Sequence, residues 1–546
     1  MRGITPWKVA VGLTAVALAA AGCTSTPEPE APKNDGSFII SWSEPQNPLV
    51  PAGTSETQGG VVIDALFTGL TNYAAADAKT EMANAESITS ADGGTTWTVK
   101  LKSGWKWHDG TPVTAKNYVD AWNYAAYSPN GLINGTFFGD IKGYSDVVSE
   151  DPDGPDKPQV APKPAKDKLD GLKFIDDTTF EVTLSGPSNL WPIKVGYSAF
   201  MPLPEAFFKD PAAFGQKPIG NGPFKLESWS KNVELKVTRN DDYLGADKPK
   251  VKDVVFRVYT DDAAAYEDVK NGTIDFQQQV PSAKLVGDLY KTDFGADRSS
   301  NKPVSSSAFI AMPTWLPGYN DPKVRQALSM AIDRKLIVEK IFNNTRIPMN
   351  GWVNPNMAGY KDGSCGEFCT FDAAKAKALY DSATTKPKEI SIAYNGDASH
   401  KPWVDAVCNS IATALQVTCT GKPFPTFGEF RTLVTTQKMT GMSRAGWQAD
   451  YPHIENWLNP LLKTGASSND GKFSDAAFDA KLKEADGTAD LAAAEKLYQD
   501  AEAMLPALMP TIPLWHSSQQ TVWSAKLATV TINTFGELDL ATVTVK

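Results

Sequence analysis

The segment DPKVRQALSMAIDRKLIVEKIF, residues 321–342, carries apolar residues at helical spacing. They are Val324, Ala327, Leu328, Ala331, Ile332, Val338, Ile341 and Phe342. This spacing predicts an amphipathic helix with one face packed on a core. Asp321 and Pro322 suit the N-cap and the first helical position. We therefore predict one helix over the segment.

Short runs with strand character alternate with helical ones along the chain. The strand-like runs are 37–42, 96–102, 179–184, 233–239, 253–259 and 389–394. A second amphipathic helix is predicted over TAKNYVDAWNYAAY, residues 114–127, with Thr114 as its cap. No repeat of solenoid or propeller length is visible. The alternation predicts a mixed α/β protein in several lobes.

Length and composition narrow the class of protein. A chain of 546 residues exceeds the size of one hydrophobic core and favours several domains. Its apolar content of 42% supplies a buried interior. The formal net charge is −10, whereas nucleic-acid binders usually carry a basic surface. We therefore expect no nucleic-acid partner.

The N-terminus has the pattern of an export signal. Arg2 and Lys8 precede apolar or small residues up to Gly22, a stretch shorter than the roughly 20 residues of a membrane span. We interpret 1–22 as a signal peptide. The sequence LAAAGC ends at Cys23 and resembles a bacterial lipobox, which implies lipid on Cys23 and a proline-rich tether over 23–35. An ordinary secretory signal with an incidental cysteine is the alternative.

The other four cysteines are even in number, and export favours disulfides. Proximity in the sequence predicts Cys365–Cys369 and Cys408–Cys419. A zinc site is the competing interpretation, but these spacings match no common zinc pattern. The proline-rich run 149–168 has almost no apolar residues, and we expect it to project into solvent.

Enzyme motifs are absent from the sequence. It has no G-x-S-x-G, P-loop, H-E-x-x-H or G-x-G-x-x-G, and its four histidines stand singly. We expect no metal, no cofactor and no catalytic activity. Paired carboxylates that are distant in the chain would escape such a search, so an exported hydrolase stays open as an alternative.

Four segments, taken in order, resemble the extracytoplasmic solute-binding proteins of the peptide/oligopeptide class, which serve ABC importers. They are LKSGWKWHDGTPVTAKNYVDAWNYA (101–125), PIGNGPFKLESWSKNVELKVTRNDDYLG (218–245), 321–342, and SRAGWQADYPHIENWL (443–458) followed by KFSDAAFDAKLKEA (472–485). The resemblance implies an α/β, two-lobe periplasmic-binding-protein-like clamshell with an inserted domain. The implied parts are lobe I (36–62, 199–303 and 515–546), the inserted domain (63–198) and lobe II (304–514).

The run RAGWQAD, 444–450, matches a run of the oligopeptide binders residue for residue. A peptide with free termini buries an ammonium and a carboxylate, and each needs a partner. The resemblance implies that Asp450 holds the ammonium and Arg444 the carboxylate. Gly446 and Trp447 would offer backbone groups to the peptide, with Gln448 and Tyr451 beside them. Arg444 and Asp450 pairing with each other or with neighbours is the alternative.

Four further candidates rest on looser matches: Phe137, Phe138, Trp515 and His516. Packing in a core or at the hinge is the alternative for each. The overall hypothesis is a monomeric, lipid-anchored receptor at the extracytoplasmic face of the membrane. It would bind peptides, contact an ABC permease through that permease's membrane subunits, and lack enzymatic activity. A sugar, a metal chelate or a signalling peptide in the same fold is the alternative ligand.

Overall fold

The structure is a computed structural model that describes residues 36–45, 47–149, 161–396, 398–466 and 468–546. The predicted signal peptide, Cys23 and the tether lie outside the described residues, as does most of the proline-rich run. Within the described ranges, no helix combines the length and apolar character needed to cross a membrane.

The strands, in chain order, are β1 (Ser37–Trp42), β2 (Thr71–Tyr73), β3 (Thr80–Met82), β4 (Ala85–Ser90), β5 (Thr96–Leu101), β6 (Leu172–Asp176), β7 (Thr179–Thr183), β8 (Phe224–Ser230), β9 (Glu234–Arg239), β10 (Asp253–Val258), β11 (Phe276–Gln277), β12 (Ser299–Ala311), β13 (Arg346–Pro348), β14 (Ile390–Asn395), β15 (Cys419–Phe424), β16 (Met442–Gln448), β17 (Thr511–Trp523), β18 (Leu527–Thr529) and β19 (Thr544–Val545). All six strand-like runs of the sequence are therefore confirmed, with ends that shift by a residue.

The α-helices are α1 (Thr57–Leu66), α2 (Ala115–Ala126), α3 (Tyr144–Val147), α4 (Trp191–Lys194), α5 (Glu205–Lys209), α6 (Pro211–Phe214), α7 (Asp262–Asn271), α8 (Ser282–Leu285), α9 (Leu289–Phe294), α10 (Pro322–Met330), α11 (Arg334–Phe342), α12 (Ala373–Ser382), α13 (Lys401–Leu415), α14 (Phe427–Thr435), α15 (Glu455–Leu462), α16 (Ala476–Asp486), α17 (Leu491–Glu502) and α18 (Leu505–Leu508). Short 3₁₀ helices occupy Pro51–Gly53, Ser128–Asn130, Gly135–Asp140, Ser198–Phe200, Val286–Asp288 and Gly366–Cys369.

One large sheet runs through both lobes. Its strand order is β15-β14-β16-β12-β17-β11-β1-β10-β9-β8, and β13 adds to β17. The two longest strands, β12 and β17, have 13 residues each and pair antiparallel at the middle of this order. Strands of lobe II lie on one side of them and strands of lobe I on the other. The chain therefore passes between the lobes along two paired strands, which is where a hinge would act.

The hydrophobic cores divide the molecule unevenly. One continuous core includes Phe38 and Val254 of lobe I together with Trp122 of the inserted domain. Separate cores surround Ile392 and Trp457 in lobe II. The inserted domain has its own four-stranded sheet, β4-β5-β7-β6, but it shares its core with lobe I. Helix α1 crosses the predicted boundary between residues 62 and 63, and the division into domains stays a prediction.

The prediction of one helix over 321–342 is wrong, because the segment forms α10 and α11 with a break at residues 331–333. Asp333 accepts a hydrogen bond from the Leu336 N–H (3.0 Å) and so starts a new helix. The guanidinium of Arg334 donates to the carbonyl oxygen of Ser329 at 3.0 Å. The same carbonyl accepts from the Ile332 N–H at 3.2 Å, so a tight backbone turn and a buried arginine together bond it where the helix ends.

Other local predictions agree with the structure. Asp321 caps α10 by accepting a hydrogen bond from the Lys323 N–H at 2.9 Å, with Pro322 as the first helical residue. Thr114 caps α2, and its N–H donates to the side chain of Asn117 at 2.8 Å. The cysteines are joined as Cys365–Cys369 and Cys408–Cys419, the pairing that the spacing predicts.

Candidate functional site

A cleft of about 570 Å³ lies beside the middle of the large sheet. Both predicted lobes and the predicted inserted domain contribute to its walls. Lobe I and the inserted domain contribute Asp64, Tyr73, Tyr197, Gln278 and Glu537; lobe II contributes Arg346, Gln448, Ala449 and Asp450; and β12 and β17 contribute Ser306 and Ser517 to Gln520. The cleft is thus formed where the lobes face each other, next to the strands that connect them.

Asp450 lies in the lobe II wall, two residues beyond the end of β16. Its carboxylate accepts a hydrogen bond from the Asn456 side-chain amide at 3.1 Å, and its N–H donates to the same amide at 2.9 Å. Burial raises the pKa of Asp450 to about 6. With this pKa the carboxylate is mostly ionised at neutral pH, and within the described part of the chain it makes no salt bridge.

Arg444 lies at the opposite end of β16 and is not among the residues that line the cleft. Its Nε donates to the side-chain oxygen of Asn395 at 2.9 Å, and Nη2 donates to the same oxygen. The guanidinium carbon lies 5.0 Å from the ring centroids of both Phe427 and Phe430. In this conformation, then, the structure brings Asp450 to the cleft and leaves Arg444 half-buried against other residues of lobe II.

Strand β16 has one edge that is unpaired beyond Ser443, and of its residues Gln448 lines the cleft whereas Gly446 does not. Ala449 donates its N–H to the Ser305 carbonyl at 2.9 Å. Backbone groups along a strand point alternately to one neighbour and to the other, so this bond shows which residues of β16 face β12. Trp447 therefore directs its backbone groups to β12, whereas Gly446 and Gln448 direct theirs away from it. Strand β14 pairs with β16 only at Met442 and Ser443. Among the described residues, no backbone group pairs with the outward N–H and C=O of Gly446 and Gln448.

The opposite wall is acidic and aromatic. Asp64 is exposed at the cleft surface, where the surrounding protein atoms partly desolvate its carboxyl and raise its pKa to about 8, with a further contribution from the negative charge of Glu537. Burial also raises the pKa of Glu537. Tyr73 donates its hydroxyl to the Ile193 carbonyl at 2.8 Å, and its ring centroid lies 5.8 Å from that of Phe535. Neither carboxylate makes a salt bridge within the described ranges.

Arg346 of β13 is the one cationic side chain among the described residues that line the cleft. Its Nη1 donates to the carbonyl oxygens of Thr345 at 2.8 Å and Ser518 at 3.1 Å, and burial lowers the pKa of the guanidinium. Sequence reasoning missed Arg346, Asp64 and Glu537. These residues come from three distant segments, and no local pattern marks them as neighbours.

The aromatic residues next to Asp450 support its position. The Trp447 indole donates to the Asn456 side-chain oxygen at 3.2 Å, and Asn456 in turn holds Asp450. Tyr451 is buried and donates its hydroxyl to Glu455. Neither ring is among the cleft-lining residues. Both side chains therefore pack behind the wall that carries Asp450.

The four looser candidates lie away from the cleft surface. Phe138 and Trp515 are buried in the cores, and Phe137 packs behind the wall, 4.4 Å from the ring centroid of Tyr197. His516 is buried, its Nδ1 lies 2.7 Å from the Ser307 hydroxyl, and burial lowers its pKa to about 4. These positions fit the alternative of core or hinge packing. Among the described residues, no cluster of three or more His, Cys, Asp or Glu side chains could hold a metal ion.

Comparison with known proteins agrees with this architecture. The model of the family described as "Bacterial extracellular solute-binding proteins, family 5 Middle" matches residues 79–469. The "Periplasmic oligopeptide-binding protein OppA" of Salmonella typhimurium is 27% identical over 440 residues, which cover 77% of this chain and 76% of that protein. The "Probable deoxycholate-binding periplasmic protein YgiS" of Escherichia coli is 25% identical over 495 residues, which cover 86% of this chain and 85% of that protein.

Solved structures share the fold over nearly the whole chain. The MppA periplasmic murein tripeptide binding protein, in its unliganded open form, has a TM-score of 0.78 and 24% identity. The match covers 94% of this chain and 98% of that one. The predicted fold class, a two-lobe α/β clamshell with an inserted domain, is confirmed.

Proposed function

We propose that this chain, which belongs to the bacterial extracellular solute-binding proteins of family 5, captures peptides in the cleft between its lobes and delivers them to an ABC permease. The proposal depends on the position of Asp450 in the wall of the cleft. An ionised carboxylate with no salt-bridge partner in the described ranges stands in the cleft wall, at the end of a strand with an open edge. Peptides combine a cationic terminus with a backbone that can extend such a strand.

Asp450 would bind the α-ammonium of the peptide. Asn456 already occupies one side of the carboxylate and fixes its orientation. The remaining oxygen lone pairs can accept hydrogen bonds from an ammonium, which has three donors. Charge-assisted bonds of this kind are about twice as strong as neutral ones, and the cleft excludes part of the competing water.

Gly446 and Gln448 would bind the peptide backbone. Their outward N–H and C=O groups lie in the position where a further strand would pair with β16. An extended peptide added at this edge would gain main-chain hydrogen bonds that do not depend on its side chains. Gly446 has no side chain to obstruct a second backbone at this edge. Low specificity for peptide sequence follows from this mode.

Arg346 is the structure's candidate for the peptide carboxylate. It lines the cleft, whereas Arg444 is held by Asn395 in this conformation. Two of its hydrogen bonds go to backbone carbonyls, and a guanidinium has five N–H donors, so others stay available. The role predicted for Arg444 would require its side chain to leave Asn395, and it stays a prediction.

The cellular setting is proposed on the N-terminal sequence. Cys23, at the end of the lipobox-like run, would carry the lipid and hold a monomeric receptor at the extracytoplasmic face of the membrane. Hydrolysis of ATP would belong to the permease complex, and the chain itself would catalyse no reaction. Mass spectrometry of protein from the membrane fraction should find lipid on Cys23, and Cys23→Ala should release the protein from the membrane.

A second candidate ligand follows from one comparison. The relative YgiS is named for deoxycholate binding, so an amphipathic steroid acid belongs in any ligand screen. The cleft of this chain opposes such a ligand, because the ionised Asp450 would repel its carboxylate, and the raised pKa values of Asp64 and Glu537 show that this site already disfavours negative charge. Peptides suit the charge of the cleft better.

A thermal-shift screen tests the proposed function. The ligands are trialanine, N-acetyl-trialanine, trialanine amide, maltotriose and deoxycholate, each at several concentrations. A ligand that binds only the folded state raises the melting temperature by mass action. We expect trialanine to stabilise the protein and its acetylated form to do so much less. Stabilisation by maltotriose or deoxycholate, with none by any peptide, would refute the proposal. Chromatography of recovered trialanine should show it intact.

A further inference from the structure

Helix α4 of the inserted domain is packed against both sides of the molecule. Trp191 belongs to the core that the inserted domain shares with lobe I. The preceding Leu190 is 2% exposed and belongs to a core of lobe II, and Ile193 packs against that same core. Leu190 and Ile193 therefore tie the inserted domain to lobe II, while Trp191 holds the helix to its own side. Any opening of the cleft on this side must separate Leu190 and Ile193 from lobe II.

The last residue of α4, Lys194, forms an ion pair across the same junction between the inserted domain and lobe II. Its ammonium lies 3.5 Å from the carboxylate of Glu455 in lobe II and 3.0 Å from Asp140 in its own domain. It also lies 5.5 Å from the ring centroid of Tyr451. The side chains of Lys194 and Glu455 are only 19% and 6% exposed. A pair this shielded is costly to break, because each buried charge loses its partner.

Glu455 connects this junction to the proposed amine site. Tyr451 and Asn459 both donate hydrogen bonds to its carboxylate, the second at 2.9 Å. The next residue, Asn456, holds Asp450 through its side-chain amide. The first turn of α15 thus carries the partner of Lys194 and the support of Asp450 on adjacent residues. Movement of the inserted domain away from lobe II would disturb both.

We propose that the Lys194–Glu455 ion pair is a latch that fastens the inserted domain to lobe II, and that Lys194 is a positioning residue for the site at Asp450. The effect of the latch on peptide affinity rests on the proposed function, whereas its effect on the separation of the lobes does not. Lys194 acts through Glu455 and α15. Peptide binding and docking of the inserted domain therefore favour each other, in the manner of two coupled equilibria.

A double-mutant cycle measures the latch. The proteins are wild type, Lys194→Met, Glu455→Gln and the double variant, and the readout is the Kd of trialanine by calorimetry. We expect each single variant to weaken binding at least fivefold, and the double variant to bind no more weakly than the weaker single one. Lys194→Arg should restore affinity to within twofold of wild type. Effects that multiply in the double variant would show that the two residues act independently, and would overturn the proposal.

Two comparison variants separate the latch from general effects of charge. Asp140→Asn removes the partner of Lys194 within its own domain and should weaken binding less than Glu455→Gln does. Lys496→Met removes a lysine from an exposed pair with Asp500 and should leave the Kd unchanged. A loss for Asp140→Asn equal to that for Glu455→Gln would contradict a latch across the junction.

Small-angle X-ray scattering tests the latch without any ligand. The radius of gyration of unliganded Lys194→Met should exceed that of wild type, and Lys194→Arg should resemble wild type. Identical values for all three would overturn the latch. If wild type binds no peptide, the proposed function fails, while the scattering comparison still decides the latch. If Lys194→Met does not fold, Glu455→Gln takes its place in the same comparison.

Discussion

The two ends of the segment from Arg444 to Asp450 have different surroundings, although both are charged side chains near one strand. At one end, Asp450 faces the cleft, is held by a neutral amide and makes no salt bridge within the described ranges. At the other, Arg444 is half-buried, donates to Asn395 and lies over two phenylalanine rings of lobe II. One end presents its charge to the cleft, and the other is already bonded to protein groups.

Charge type alone therefore does not identify a ligand-binding residue. What distinguishes the two ends is whether the protein itself satisfies the charge. A buried charge that has partners contributes to the fold, whereas one that lacks an ionic partner costs free energy until a ligand supplies it.

Asp450→Asn should have the largest effect on binding. The substitution keeps the shape of the side chain and removes the charge that would pair with the ammonium. Losing one partner of a shielded charged pair costs about 2 kcal/mol or more, so affinity for trialanine should fall at least about thirtyfold. Isothermal titration calorimetry gives the Kd. An affinity within threefold of wild type would show that Asp450 does not bind the amine.

The affinity of wild type should fall as the pH falls through about 6, because binding needs the ionised form of Asp450. The pKa of this carboxyl is raised in the free protein, and an ammonium bound beside it would lower that pKa. Proton uptake therefore opposes binding, and the Kd should rise about tenfold between pH 7.5 and pH 5. Asp450→Asn, with no proton to gain, should show a flat profile over this range; a sloping profile would assign the dependence to another group.

Arg444→Gln should affect stability and leave binding almost unchanged. It removes charged hydrogen bonds to Asn395 and the contact with the rings of Phe427 and Phe430. A loss of about 1–3 kcal/mol in the free energy of unfolding is expected for such bonds. Urea unfolding measures it, and calorimetry should find the trialanine Kd within threefold of wild type. A loss of affinity comparable to that of Asp450→Asn would restore the carboxylate role for Arg444.

Asp64→Asn should have the smallest effect. It should raise the melting temperature of the unliganded protein slightly. The pKa of Asp64 is raised in the folded protein to about 8, so folding favours its protonated form. Its contribution to stability is therefore full below the unfolded pKa and is lost as the pH rises through about 8. Scanning calorimetry at pH 8.5 should show the variant melting about 1–3 °C higher than wild type. The gain should vanish near pH 4; a gain that persists there would point to a cause other than charge.

The regular elements and the placement of Asp450 at the cleft could be predicted from the sequence. Strand-like runs such as 37–42 and 253–259 were found at once, since β-branched and apolar residues concentrate in them. The break between α10 and α11 was missed, because the apolar stripe continues across it. It results from Asp333 and from the bonds of Arg334 to backbone carbonyls, which depend on tertiary packing.

The opposite wall of the cleft could not be predicted. Asp64 lies on a helix near the N-terminus and Glu537 near the C-terminus, and only the fold brings them together. The fate of Arg444 was also beyond the sequence, because Asn395 and the rings of α14 come from segments that are distant in the chain. Local patterns identify elements and runs of polar residues, but long-range packing decides which of them share a surface.

A crystal structure of the protein with bound trialanine measures both ends of the segment directly. The distance from the peptide's ammonium nitrogen to the Asp450 carboxylate should fall in the hydrogen-bond range of about 2.7–3.2 Å. The Arg444 guanidinium should still donate to Asn395, and the peptide backbone should pair with Gly446 and Gln448. An ammonium bound away from Asp450, or an Arg444 that has left Asn395 to bind the carboxylate, would contradict the division of roles described here.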